Sequence, residues 1–338
     1  MANISMKEIA KLSGVSVATV SRVINNNGRF SEETRKRVLS VIEETGYNAN
    51  SVAKSLRMQK SNTIGIVVPD ITNFFFADIV QKIEEQFFTN NYSTIICNTG
   101  RSNEKEQLYL RMLQSKMIDG LIVISGVEEF DLMGALTENI PVICIDRKPK
   151  NSDQTLFISS DHYTGAKDAT KLLISKGAKH PVILMYNRSS SSAEERLNGF
   201  KDALKENGIQ FDTSKHTIKI KANNRNNSRE ETLNAIKYFV STNKTIDAVF
   251  SVNDHLALYA IEVFEHLNYN IPKEIKIVGF DDTPLAIQSR PQLSTVRQDT
   301  AQLANLTCSN LLKLIESNHS SPKDSLLVPV QLIERETT

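Results

Sequence analysis

The 338-residue chain is 40% hydrophobic and 23% charged, the proportions of a globular protein with room for two or three domain cores. No apolar run reaches the roughly 20 residues of a membrane-crossing helix, and the opening MANISMKEIAKLSG has neither an apolar stretch nor a small-residue cleavage site, so a cytoplasmic protein with no membrane partner is expected. The net charge of +1 hides an asymmetry: residues 1–60 hold ten Lys and Arg against five Asp and Glu, and the remainder hold 30 against 34. A basic head on a mildly acidic body suits a polyanionic partner at the head. Cys97, Cys144 and Cys308 are odd in number and far apart, which reads as buried thiols rather than disulfides. The six His are scattered without ligand spacing, so no metal and no cofactor is expected.

In chain order, Ser5 with Glu8 is a capping box that opens a helix through Ser13, and Gly14 ends it. Ser16 caps a second helix running to about Asn25. Val20, Val23 and Ile24 share one of its faces; Val17, Ala18, Ser21 and Arg22 occupy the other. NNNGRF is a turn. Ser31, followed by Glu32 and Glu33, opens a third helix expected to bury Val38, Leu39, Val41 and Ile42 and to stop at Gly46.

The second helix carries the functional signal, because its outward face holds only small side chains and one long cation. Ala10, Gly14 and Val20, with Ile9, Leu12 and Val23 as the core between two helices, have the spacing of a helix-turn-helix. In that motif the second helix lies in the DNA major groove, and a low outer face lets the backbone approach the base edges. Val17 and Ala18 can offer methyl contacts to thymine, and Arg22 can fork onto guanine O6 and N7. Ser16, Thr19 and Ser21 can bond phosphates.

After residue 60 strand-like runs alternate with amphipathic helices. The strands are TIGIVVP, YSTIICNT, DGLIVIS, PVICIDR, TLFISSD, HPVILMYN, HTIKIK, DAVFSVND and IKIVGFDD. Runs buried on both faces and alternating with helices predict parallel α/β units, and the length suggests two of them. Ligands of such sheets bind at the carboxyl ends of strands, where DITNFFF, IDR, SVND and GFDD fall.

MKEIAKLSGVSVATVSRVIN resembles the head of the lactose/galactose repressor family of bacterial transcription regulators, and ETGYNANSVAKSLR continues the likeness. In the family that second segment is a hinge helix that folds on the operator and wedges a leucine into the minor groove; Leu56 stands there. The resemblance adds Asn25, Ser31, Asn50, Ala53 and Lys54 to the DNA-facing set. Ala49 and Lys54 depart from the usual Pro and Arg. The likeness extends over the whole chain and implies an all-α helix-turn-helix head followed by an α/β two-lobed sensor of the periplasmic-binding-protein kind, with two parallel doubly wound sheets. The expected domains are 1–47 for the head and 48–60 for the hinge and linker. The sensor N-lobe takes 61–161 plus 290–323, and the C-lobe 162–289 plus 324–338.

A sugar site needs planar fork donors, carboxylates for paired hydroxyls and an aromatic face. The chain supplies these at strand ends: Asn73, Phe75 and Phe76 from TNFFF, Asp146 and Arg147 from CIDRK, Arg196 from SAEERLNGF, Asn253 from SVNDHL, Asp281 from VGFDDTP and Gln298 from LSTVRQ. The set resembles the hydroxyl-binding residues of ribose receptors. Two departures are Phe74 in place of a common Pro, and ANNRNNS, which lacks the second aromatic that closes over ribose. Ribose is the expected effector; sucrose or fructose, and a phosphoprotein corepressor on the outer surface, remain alternatives. The resemblance implies a homodimer on a pseudo-palindromic operator, released by the sugar. The chain has no trailing leucine heptads, which favours a dimer over a tetramer. An enzyme is not expected: G-x-x-x-x-G-K, G-x-G-x-x-G, G-x-S-x-G and H-E-x-x-H are missing, and Asp281 and Asp282, adjacent on a strand, point to opposite faces. His162 and His255 read as solvated helix-start residues.

Overall fold

The structure is a computed structural model that describes residues 4–24, 27–47, 60–124, 140–146, 148, 155–188, 190–221, 225–242, 245–317 and 325–338. The chain divides into two compact units, residues 1–61 and 62–338. The predicted hinge residues Asn50, Ala53, Lys54 and Leu56 lie outside the described residues, as do Asn25 and Arg147.

The first unit is three helices: α1 (Met6–Leu12), α2 (Val17–Ile24) and α3 (Glu32–Thr45). The Ser5–Glu8 capping box is formed, with both reciprocal bonds present. Gly14 turns the chain at φ +65°, and Gly46 ends α3 at φ +61°, conformations that a side chain would strain. Ile9, Ala10, Val20, Val23 and Val38 make the core. Two expectations fail here. Leu12 is 61% exposed and Leu39 is 44% exposed. Each sits one residue or more round the helix from the buried stripe, and three short helices enclose too narrow a core to reach them. Val41 and Ile42 are half-buried.

The second unit holds two six-stranded sheets. The first contains β1 (Thr63–Val68), β2 (Ser93–Asn98), β3 (Gly120–Ile124), β4 (Val142–Ile145), β5 (Thr155–Ser160) and β11 (Leu326–Val328), in the order β11-β5-β4-β3-β1-β2. The second contains β6 (Pro181–Tyr186), β7 (Thr217–Ile220), β8 (Ala248–Ser251), β9 (Lys276–Asp281), β10 (Ser294–Gln298) and β12 (Val330–Ile333), ordered β12-β10-β9-β8-β6-β7. Every pairing is parallel except β10 with β12. The nine runs read from the sequence are β1 to β9. The structure adds β10, β11 and β12, which are short.

Topology also moves two crossovers. β10 pairs with β9, so the crossing expected near 290 falls after Gln298. β11 pairs with β5, so the return expected at 324 falls between Val328 and Val330. In both sheets the first strand is flanked by the second on one side and the third on the other. That reversal opens a crevice at the carboxyl ends of the strands.

Helices cover the sheets: α4 (Phe74–Thr89), α5 (Asn103–Ser115) and α12 (Thr300–Glu316) on the first, and α6 (His162–Ser175), α7 (Ser191–Glu206), α9 (Arg225–Thr242) and α10 (Asp254–His266) on the second, with short helices α8 (Thr213–His216) and α11 (Pro284–Gln288). Phe200, Phe250 and Phe280 are fully buried in the second core, each stabilising by about 1.5–3 kcal/mol. Gly199 sets the approach of α7 to α6, because a Cβ there would lie 2.2 Å from the Tyr163 carbonyl oxygen. Cys97, Cys144 and Cys308 are buried. No helix among the described residues is long and apolar enough to cross a membrane.

Candidate functional site

On α2 the Ser16 hydroxyl accepts from the Thr19 amide at 3.1 Å and lies 2.9 Å from the Thr19 hydroxyl. Ser16 is therefore the N-cap, and its remaining lone pair and proton are what it can offer a phosphate. Val17, Ala18 and Arg22 are exposed, and Thr19 and Ser21 are half-buried. Gly28, at φ +96°, lets the turn lie against the Arg22 stem; a Cβ there would come within 3.3 Å of Arg22 Cδ. That support for Arg22 was not read from the sequence, although NNNG carries the turn signal. Ser31 caps α3 by accepting from the Thr34 amide at 3.2 Å.

In the second unit Asn73, Phe75, Phe76, Asp146, Arg196, Asn253 and Asp281 line one cleft. Seven side chains from distant parts of the sequence thus converge, all from strand carboxyl ends or the helix turns that follow. Gln298 stands behind them, donating to Asp281 Oδ1 at 2.7 Å. Asn73 and Asn253 have two roles. Their Oδ1 atoms accept from the amides of Phe75 (3.0 Å) and Leu256 (2.9 Å) as helix caps, which leaves the NH2 groups as donors for a ligand. Phe75 and Phe76 meet edge to face at 5.4 Å and give the apolar patch.

Arg196 is the hub. Its guanidinium lies 3.7 Å over the Phe280 ring, donates to the Val252 carbonyl and stands 3.8 Å from Asp281 Oδ1. It also donates to His162 Nδ1 at 3.2 Å. With Nδ1 accepting, the His162 proton belongs on Nε2, 2.9 Å from Asp146 Oδ1. His162 is 2% exposed, which corrects the expectation of a solvated helix-start residue: Asp146 and Arg196 satisfy it from both sides. Burial depresses its pKa, and Asp146 only partly opposes this. His255 is half-buried, with Nε2 2.8 Å from the Tyr259 hydroxyl.

The two cleft carboxylates differ. For Asp146 burial works against ionisation, but His162, the Ser160 amide (3.1 Å) and Arg196 outweigh it and hold the group below the usual range. For Asp281 burial wins over Arg196 and pushes the pKa up to about 8. Both have left-handed backbones, φ +54° and +112°, a strain that the surrounding bonds must hold in place. Asp282 turns the other way, to Arg297 and Arg335, each at 2.6 Å. Asp254, behind the cleft, accepts from the Thr283 amide at 2.6 Å, and burial raises its pKa to about 7.

Residues 5–50 match the family described as bacterial regulatory proteins, lacI family, and residues 61–336 match periplasmic binding proteins and sugar binding domain of LacI family. The chain belongs to the LacI family. Two curated relatives are each 32% identical: a sucrose operon repressor from Streptococcus mutans, with 98% of both chains covered, and a ribose operon repressor from Halalkalibacterium halodurans, covering 99% of this chain and 97% of the relative. A lac repressor dimer bound to operator and an anti-inducer is 25% identical, with 99% of each chain covered and a TM-score of 0.86. As a LacI-family regulator the chain is a helix-turn-helix transcription factor with a sugar-binding-type domain, not an enzyme. Its cleft also has lining residues that sequence reasoning missed: Arg101, Tyr186, Arg188, Ser190 and Ser192. NTGRS and YNRSSSS place an arginine just after a strand, and the strand-end rule applied to those two runs would have found both.

Proposed function

We propose that the chain is a homodimeric repressor of a sugar-utilisation operon whose DNA affinity falls when a small sugar fills the cleft, with ribose as the sugar. The carrying observation is the convergence of Asp146, Arg196, Asn253 and Asp281 beside Phe75 and Phe76. Two acceptors, a fork donor, amide donors and an aromatic edge are what a ring of hydroxyls on one side and C–H groups on the other requires. The relative named as a ribose operon repressor supports the pentose, and the one named as a sucrose operon repressor makes sucrose its first competitor.

On DNA, two heads would read a pseudo-palindromic site through Val17, Ala18 and Arg22, with residues 48–60 and Leu56 at its centre. The likeness to a lac repressor dimer supports pairing. Leu108 and Met112, four apart on α5 and 60% and 36% exposed, offer an apolar stripe for it. The test is a melting series with ribose, fructose, sucrose and galactose. A ligand of the folded state raises the melting temperature by mass action. A rise with ribose supports the full reading, and a rise with another sugar replaces the effector. No response to any sugar overturns the sugar reading and leaves a phosphoprotein corepressor as the signal.

A further inference from the structure

Arg196 already supplies the fork donor that a neutral sugar needs, yet the same cleft holds two more guanidiniums. Arg101 follows β2 in the first lobe and Arg188 follows β6 in the second. Arg188 Cζ lies 4.0 Å over the Tyr186 ring, and Arg101 Cζ lies 5.7 Å over Phe76. An aromatic face beside each guanidinium helps to hold it and leaves N–H groups free to bond. The neighbouring cleft groups are partnered, Arg196 with Asp281 and His162 with Asp146. Arg101 and Arg188 form no ion pair among the described residues. Asp70 acts on both only at longer range, and each is half-buried. Burial, and then the charge of Arg101, bring the Arg188 pKa down to about 10.

Two like charges on opposite lobes, partly desolvated and unpaired, are unfavourable unless an anion joins them. The rest of the wall suits one. Ser190 and Ser192 line the cleft at the start of the 16-residue α7, where the helix carries partial positive charge.

We infer that the ligand is a phosphorylated sugar whose phosphate sits between Arg101 and Arg188, against the Ser190 and Ser192 hydroxyls. This rests on the sugar reading of the cleft and adds the charge of its ligand. Two forks and two hydroxyls match the several oxygens of a phosphomonoester. The carboxylate of a sugar acid shares the chemistry with fewer oxygens and less charge. An anion spanning the lobes also replaces their repulsion by attraction, so the phosphate itself favours closure.

The test is calorimetric titration of the full chain, at constant ionic strength, with ribose, ribose 5-phosphate, ribonate and inorganic phosphate, repeated with fructose and glucose and their phosphate esters. One ester is expected to bind at least tenfold tighter than its own neutral sugar. Arg188→Gln and, separately, Arg101→Gln are expected to cut that advantage below threefold. Ribonate matching the ester would keep the anion site and assign it to a sugar acid. A neutral sugar that binds as tightly as its ester overturns the inference and leaves the sugar reading standing. Equal losses for ester and neutral sugar in both variants also overturn it, because the arginines would then serve hydroxyls. If no sugar, neutral or esterified, binds at all, the sugar reading falls and the inference with it.

Discussion

The head keeps its ionic groups on the surface, over a core of Ile9, Ala10, Val20, Val23 and Val38, and presents Val17, Ala18 and Arg22 to solvent. The sensor cleft buries Asp146, His162, Arg196 and Gln298 and locks them to one another. The contrast follows from the partner. A duplex brings its own rigid surface and charge, so the protein need only keep its helix face low. A small ligand brings a few hydroxyls, so the protein must fix donors and acceptors beforehand, in a low-dielectric site where each is effective and each is costly unpaired. Damage to the head should therefore change DNA affinity with little loss of stability, and damage to the cleft should cost stability together with ligand binding.

The largest effect is expected from Arg196→Ala. Removing the hub leaves Asp281 and His162 without their partner, and breaking a buried pair costs about 3–5 kcal/mol. Calorimetric melting should show that loss in the sensor transition, with no sugar response remaining. A variant as stable as the parent would mean the cleft charges are not coupled. Gly199→Ala should follow at about 1–3 kcal/mol, since its Cβ meets the Tyr163 backbone rather than a movable side chain. Denaturant titration reads this.

On the other side of the contrast, Arg22→Ala should lose about 1–3 kcal/mol of specific DNA affinity and relax base choice at one position, with the melting temperature unchanged. Equal loss on every sequence would place Arg22 on phosphate instead.

Burial of Asp281 also makes the cleft sensitive to pH. Asp281 titrates near 8 in the folded cleft and near the ordinary carboxylate value when unfolded. Its protonated form is favoured by folding, so its contribution to stability is full below the unfolded pKa and is lost as pH rises through 8. Sugar hydroxyls that donate to the carboxylate favour the ionised form. Affinity for a neutral sugar should therefore rise from pH 6 to 8, by up to about tenfold per unit, with proton release on binding. Asp281→Asn should flatten that profile; a slope that survives the substitution assigns it elsewhere. The smallest effect is Ser16→Ala, which removes the α2 cap and should lower head stability by about 1 kcal/mol, read from the head's melting alone.

Local signals in the sequence reached far. Capping residues, positive-φ glycines and period changes placed the three head helices and nine strands, because each depends on neighbours within a few positions. Seven cleft residues were legible because strand carboxyl ends are where such sheets bind ligands. What was not legible depended on partners remote in sequence. His162 looks like any helix-start histidine until Asp146 and Arg196 are brought against it. Leu12 and Leu39 look like core until three short helices prove too small to enclose them. The late crossovers hinge on β10 and β11, strands too short for their own residues to tell which sheet they join.

The ligand in the cleft is expected to control the head on DNA. The direct measurement is fluorescence anisotropy of the full chain on a pseudo-palindromic fragment recovered by in vitro selection, with and without the sugar or sugar phosphate that binds the cleft. At least a tenfold loss of DNA affinity at saturating ligand is expected, and none in Arg196→Ala. Unchanged DNA affinity with the cleft demonstrably filled would contradict the coupling.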